Sequence, residues 1–176
     1  MGSDGNPISG PWRMRFALAL TVLAFVATPA NARDSLGMFE NWGAFRDPRV
    51  PRCYAIAQAD KSAGEKVDYR AYADVGNWPN RALRNQVHFR LSNRLAANAP
   101  IRLRVDAQEF ILAGGGGDAW AADRRMDAAI VAAMRSGKAM RVRARASDGR
   151  AISDFYPLPG AASAIDSAAL GCAAGR

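Results

Sequence analysis

The chain reads as a mainly β protein, a β-sandwich or distorted barrel of short antiparallel strands with one packed helix and a short C-terminal helix. Three observations predict this. Apolar and polar residues alternate over several five- to eight-residue runs, the clearest being Ile101, Leu103 and Val105 against Arg102 and Arg104. Only one stretch of the central chain, Asp123 to Ser136, carries apolar residues at helical spacing, with Met126, Ala129, Ile130, Ala133 and Met134 on one stripe. Turn residues separate the runs at short intervals, as sandwiches and barrels require.

The chain opens with a polar segment from Met1 to Arg13. Met14-Arg15 then precedes an apolar run from Phe16 to Thr28, and Ala30-Asn31-Ala32 places small residues where a signal peptidase reads them. This pattern predicts a signal peptide over residues 1–32, with Met14 as an alternative start. The apolar run is shorter than the about 20 residues that a bilayer-spanning helix needs, so no transmembrane span is expected after processing. Residues 33–176 then form a single β-rich exported domain, long enough to bury its own core.

The full chain carries a formal net charge of +8. Its cations are mostly arginines, Lys61, Lys66 and Lys138 being the only lysines, and alanine is abundant. Both biases fit a GC-rich genome, so the arginine content does not argue for nucleic acid. For an exported basic protein the available partners are anionic lipid, lipopolysaccharide or an envelope protein. Cys53 and Cys172 are the only cysteines, and in an oxidising compartment two cysteines are most simply one disulfide. A nucleophilic or metal-binding pair would want a histidine close by, and the chain has only His88.

Along the exported part, Phe39 to Phe45 reads as a first strand, interrupted by Pro48 and Pro51. Arg52 to Gln58 is a second and carries Cys53. Val67 to Asp74 reads as a third, followed by a loop at Asn77-Trp78-Pro79-Asn80. Gln86 to Leu91 and Ile101 to Val105 alternate cleanly, and Phe110 to Leu112 is a short apolar strand. Gly114 to Gly117 reads as a flexible connector into the helix, which Asp123 caps and Gly137 ends in a left-handed conformation. Met140, Val142, Ala144 and Ala146 then alternate with Arg141, Arg143 and Arg145. A two-residue turn at Asp148-Gly149 would return Ala151 to Tyr156 with Val142 opposite Phe155 and Arg143 opposite Asp154. The alanine-rich stretch after Gly160 is a short helix that brings Cys172 back to the body.

Trp42-Gly43-Ala44-Phe45, Cys53-Tyr54-Ala55-Ile56-Ala57, the segment from Ala132 to Lys138 with its basic strand and Asp148-Gly149 turn, and Leu158-Pro159-Gly160 together resemble the invasion-associated locus B family. That resemblance implies an exported alphaproteobacterial protein of the periplasm, outer-membrane associated or secreted, with a β-rich fold, no cofactor and no assigned chemistry. Members often carry further cysteines, whereas Phe39 to Pro51 and Gly114 to Trp120 contain none here.

The residue types leave few routes to catalysis. His88 falls on the polar face of its strand, read as an ordinary surface histidine with no nucleophile beside it. Gly114 to Gly117 lacks the lysine and hydroxyl residue of a phosphate loop. Asp118, Asp123 and Asp127 do not have the spacing of a calcium loop and read as capping and solvated carboxylates, and Trp42, Tyr54, Trp78 and Trp120 read as anchors rather than one sugar groove. The feature that remains is basic: Arg90, Arg102, Arg104, Arg141, Arg143 and Arg145 all point away from the apolar faces of their strands. They form a candidate anion-binding face, unless Asp106, Glu109 and Asp154 neutralise it. The expectation is a non-enzymatic envelope protein that contacts anionic envelope components through that face. The alternative is a small-ligand binder or enzyme using the Gly114–Trp120 loop.

Overall fold

The computed structural model describes residues 33–60 and 67–173, so the leader read at 1–32, and Lys61 and Lys66, lie outside the described residues. Ten strands run β1 (Asp34–Phe39), β2 (Trp42–Asp47), β3 (Arg52–Gln58), β4 (Tyr72–Trp78), β5 (Leu83–Arg90), β6 (Ile101–Val105), β7 (Gln108–Gly115), β8 (Asp118–Trp120), β9 (Ala139–Arg145) and β10 (Ala151–Pro157). Helix α1 (Arg124–Ser136) lies between β8 and β9, and α2 (Ala161–Ala173) follows β10. All pairings are antiparallel, in the order β1-β2-β3-β4-β5-β8-β7-β6-β9-β10. The sheet curls on itself. Phe89 of β5 and Tyr156 of β10 stand far apart in strand order, yet their rings meet at 6.1 Å. The Asp60 amide also donates to the Phe155 carbonyl at 2.8 Å. This agrees with the β-sandwich or distorted barrel that the alternation predicts.

Strand β6 shows why the faces sort as they do. Ile101, Leu103 and Val105 are 2% exposed or less, and opposite side-chain directions leave Arg102 and Arg104 in solvent. Met140 and Val142 do the same in β9. Helix α1 buries Ile130, Val131, Ala133 and Met134, and Asp123 caps it by accepting from the Met126 amide at 2.8 Å. Helix α2 packs on β1 to β4 and brings Cys172 within disulfide distance of buried Cys53.

Several local expectations are corrected. Phe39 to Phe45 is not one strand: the chain reverses at Glu40-Asn41, with Glu40 at φ 50°, so β1 and β2 form a hairpin with Phe39 opposite Trp42. The third strand starts later than Val67 and runs on to Trp78 as β4, because its pairing with β3 and β5 continues through Gly76 and Asn77. Gly114 to Gly117 is no free connector but the end of β7 and the turn into β8. Gly137 is extended, at φ −80°, and is needed for space: a Cβ there would lie 2.9 Å from the Ala133 carbonyl oxygen and 3.0 Å from Leu158.

The β9–β10 register also differs by one. Ser147-Asp148-Gly149 form a three-residue loop in which Gly149, at φ 85°, makes the bulge, and the Ala146 amide donates to the Arg150 carbonyl at 2.8 Å. Val142 therefore faces Asp154, and Arg143 faces Ser153. Asp154 is 5% exposed and accepts from the Ser92 amide at 3.0 Å, so it turns inward instead of meeting Arg143.

Candidate functional site: an arginine groove beside a carboxylate–histidine row

Strand β6 lies beside β9, and their pairing sets Arg102 directly opposite Arg143 and Arg104 directly opposite Arg141. Like charges in facing positions of a sheet repel unless something intervenes. Here the compensation is partial. Arg102 donates to Glu109 Oε1 at 2.7 Å, while Arg104 Nε donates to the Asp106 backbone carbonyl at 2.7 Å. Arg141 donates to Ser153 Oγ at 2.9 Å and lies 4.8 Å over the Phe155 ring. Among the described residues no ion pair or hydrogen bond reaches the Arg143 guanidinium. Of the three carboxylates expected to neutralise this face, only Glu109 does so. The Asp106 carboxylate accepts from the backbone amides of Lys138 and Ala139, and Asp154 is buried.

The four arginines, with Glu109 and Phe155 beside them, line a groove of about 330 Å³. Two of the six residues of the expected face fall outside it. Arg145 turns to the Gly149 carbonyl at 2.8 Å, and Arg90 belongs to a separate cluster on β5.

That second cluster is built across β4, β5 and β8. Asp74, His88 and Trp120 face one another in register, as do Tyr72, Arg90 and Asp118. His88 Nδ1 is 2.8 Å from Asp74 Oδ2, and its Nε2 is 3.2 Å from Asp118 Oδ1. Asp118 also takes the Arg90 guanidinium at 2.6 Å, which in turn lies 4.0 Å over the Tyr69 ring. Trp120 and Tyr72 flank the imidazole at 5.1 Å and 5.7 Å. His88 is thus not the surface histidine expected from its strand position, since only 18% of its side chain is exposed.

Burial alone would lower the His88 pKa, but the hydrogen bond and charge of Asp74, then those of Asp118, outweigh it and raise the pKa above 6.5. Both ring nitrogens meet carboxylates, which suits an imidazolium donating twice. The opposed nitrogens cannot converge on one ion, and no group of three metal-ligating side chains occurs among the described residues. A raised folded pKa means that His88 stabilises the fold fully below its unfolded value of about 6.5, and that this contribution fades as pH rises through the folded value. The stability gap between the native chain and His88→Gln should accordingly be wide near about pH 6 and shrink toward about pH 9. Urea unfolding of both proteins at several pH values checks this, and a constant gap would contradict it.

The other candidates resolve differently. Asp127 is not a freely solvated carboxylate: it accepts from the Val87 amide at 2.8 Å, tying α1 to β5, and burial raises its pKa. Asp118 is held by His88 and Arg90. Trp42 is fully buried with Nε1 donating to the Pro157 carbonyl, Tyr54 and Trp78 lie under Arg52, and Trp120 is 38% exposed, so these aromatics share no groove. Among the described residues no helix is long and apolar enough to cross a membrane.

No family model matches the sequence, and no curated protein sequence matches it. Among solved structures, the crystal structure of invasion associated protein B from Bartonella henselae is similar, with a TM-score of 0.54 at 17% sequence identity. The match covers 77% of this chain and 96% of that one. The chain therefore shares the fold of invasion associated protein B, in agreement with the family resemblance of its short motifs.

Proposed function

We propose that this chain is a non-enzymatic protein of the bacterial envelope, exported to the periplasm and either outer-membrane associated or secreted, that holds an anionic group of an envelope component against the β6–β9 groove. The observation that carries the reading is the double juxtaposition of Arg102 with Arg143 and Arg104 with Arg141, with one paired carboxylate between them. Four guanidiniums share the groove with two acids, Glu109 paired to Arg102 and Asp106 accepting from the Lys138 and Ala139 amides, and the surplus of positive charge is a local potential that an anion relieves. Export is supported by the signal-like leader and by the cysteine pair at disulfide distance, a linkage that persists in oxidising compartments. The fold shared with a protein named for its association with invasion agrees with an envelope setting.

The test is binding to anionic vesicles. Arg141→Ser/Arg143→Ser should weaken binding by about tenfold or more and flatten its salt dependence, because these charges are exposed and screened by ions. A control with Arg124→Ser/Arg125→Ser on the outer side of α1 should change little. Unchanged binding by the groove variant would sink the proposal.

A further inference from the structure

The strand register extends the groove into a larger surface. Arg143, Arg102 and Ile111 form one cross-strand row over β9, β6 and β7. Two residues further along β7, Ala113, Trp120, His88 and Asp74 form the next row, over β7, β8, β5 and β4. Because side chains alternate along a strand, both rows lie on the same outer face, with neighbouring strands about 4.8 Å apart. This face carries Ile111 at 49% exposure and Trp120 at 38%. Both are strand side chains on a sheet whose other face is already packed, and although Trp120 rests against the His88 ring at 5.1 Å, it still keeps apolar surface in solvent. Its carboxylates are spent: Glu109 pairs with Arg102, Asp118 with Arg90 and His88, and Asp74 with His88.

A soluble anion, or the anionic surface of a polymer, would be satisfied by the arginines alone. Guanidiniums flanked by an exposed isoleucine and an exposed tryptophan match instead a boundary that is anionic in one layer and apolar just beneath it. Tryptophan suits that boundary because its ring is apolar and its indole N–H remains near water, and phosphate headgroups accept paired guanidinium N–H groups. From this, and resting on the anion-binding reading above, we infer that the outer face of β9-β6-β7-β8 docks on an anionic lipid bilayer. Arg102, Arg104, Arg141 and Arg143 take the headgroup phosphates, and Ile111 and Trp120 enter the interface.

The experiment uses the purified exported part from residue 33 on, without the leader and its Trp12, with the disulfide intact, and three probes: phosphatidylglycerol–phosphatidylcholine vesicles, phosphatidylcholine vesicles and soluble polyphosphate. Brominated acyl chains should quench tryptophan emission on the anionic vesicles, and Trp120→Phe should remove most of that quenching, since Trp42 is buried and Trp78 lies beneath Arg52 and Arg81. Ile111→Ser/Trp120→Ala should weaken vesicle binding about tenfold while leaving polyphosphate binding unchanged. Ile111→Ser alone, which leaves the His88 stacking intact, should show part of the same loss. Vesicle binding that survives the double variant, or that shows no Trp120-dependent quenching, overturns bilayer docking and leaves the anion groove standing. Tighter binding to polyphosphate than to vesicles also overturns it. If neither probe binds, or if Arg141→Ser/Arg143→Ser binds both as the native chain does, the groove reading falls as well.

Discussion

Replacing Cys53 and Cys172 together by alanine should lower unfolding free energy by about 2–4 kcal/mol, the largest loss expected from removing any one link in the fold. The two cysteines are 119 positions apart, so their bond closes most of the described chain, all but β1 and β2, into one loop. In the chain-entropy description, a loop of about 100 residues is worth up to about 4.7 kcal/mol through restriction of the unfolded state. Domains of this size hold only about 5–15 kcal/mol in total, so the loss is a large fraction of the margin. Position adds to the effect. Cys53 is fully buried on β3, and Cys172 lies in the last turn of α2, whose buried Ala161, Ala164, Ile165 and Ala168 form part of the core. Without the link, α2 is held to the sheet by packing and by the Ser167 hydroxyl donating to the Leu36 carbonyl at 3.0 Å. Alanine is preferred to serine because a hydroxyl in place of buried Cys53 would add an unrelated desolvation cost. Urea midpoints for the native chain, the double variant and the reduced native chain check this. The last two should coincide, and a difference below about 0.5 kcal/mol between oxidised and variant forms would contradict the entropic account.

Much of the architecture was legible because it depends on local pattern. Strand β6 spans the same residues that its alternation marks, α1 starts after the Asp123 cap, and the cysteine pairing follows from there being two. The structure departs from the local pattern where a turn lacks its usual residues or where pairing is non-local. Glu40 adopts a positive φ without being glycine or asparagine, so the β1–β2 reversal carries no turn signature. At Asp148-Gly149 the signature is present but allows two loop lengths, and the longer one moves Asp154 from Arg143 to a buried position. The arginines of β6 and β9 were visible individually; that they face each other depends on β9 returning beside β6 after the whole of β7, β8 and α1. His88 departs from its expected surface position for the same reason. Its carboxylates come from β4 and from β8, a three-residue strand hidden behind a glycine run and inserted between β5 and β7.

That glycine run supplies the second large effect. Gly114→Ala should destabilise the chain by about 3 kcal/mol, whereas Gly115→Ala, one residue on, should stay within about 0.5 kcal/mol of the native value. The contrast follows from the space at each Cα. A Cβ on Gly114 would lie 2.3 Å from the Asp118 carbonyl oxygen, 2.8 Å from Ile101 Cδ1 and 2.9 Å from Ala119 Cα, whereas one on Gly115 meets nothing within 4 Å. Two of the three atoms facing Gly114 are backbone, so they cannot rotate away, and relief requires β8 to move off β7. Strand β8 contributes only Asp118, Ala119 and Trp120, and its pairing with β7 is confined to the Ala113, Gly114 and Gly115 positions. Displacing it therefore carries Asp118 away from His88 and Arg90, and Trp120 away from the outer face. The substitution should thus cost stability and also shift the His88 titration, because the Asp118 share of its raised pKa is lost while the larger Asp74 share stays on β4; the two are read from a urea midpoint and from imidazole chemical shifts during a pH titration. Loss of stability with an unchanged His88 titration would mean that β8 stays in place and the strain is absorbed at Ile101 instead.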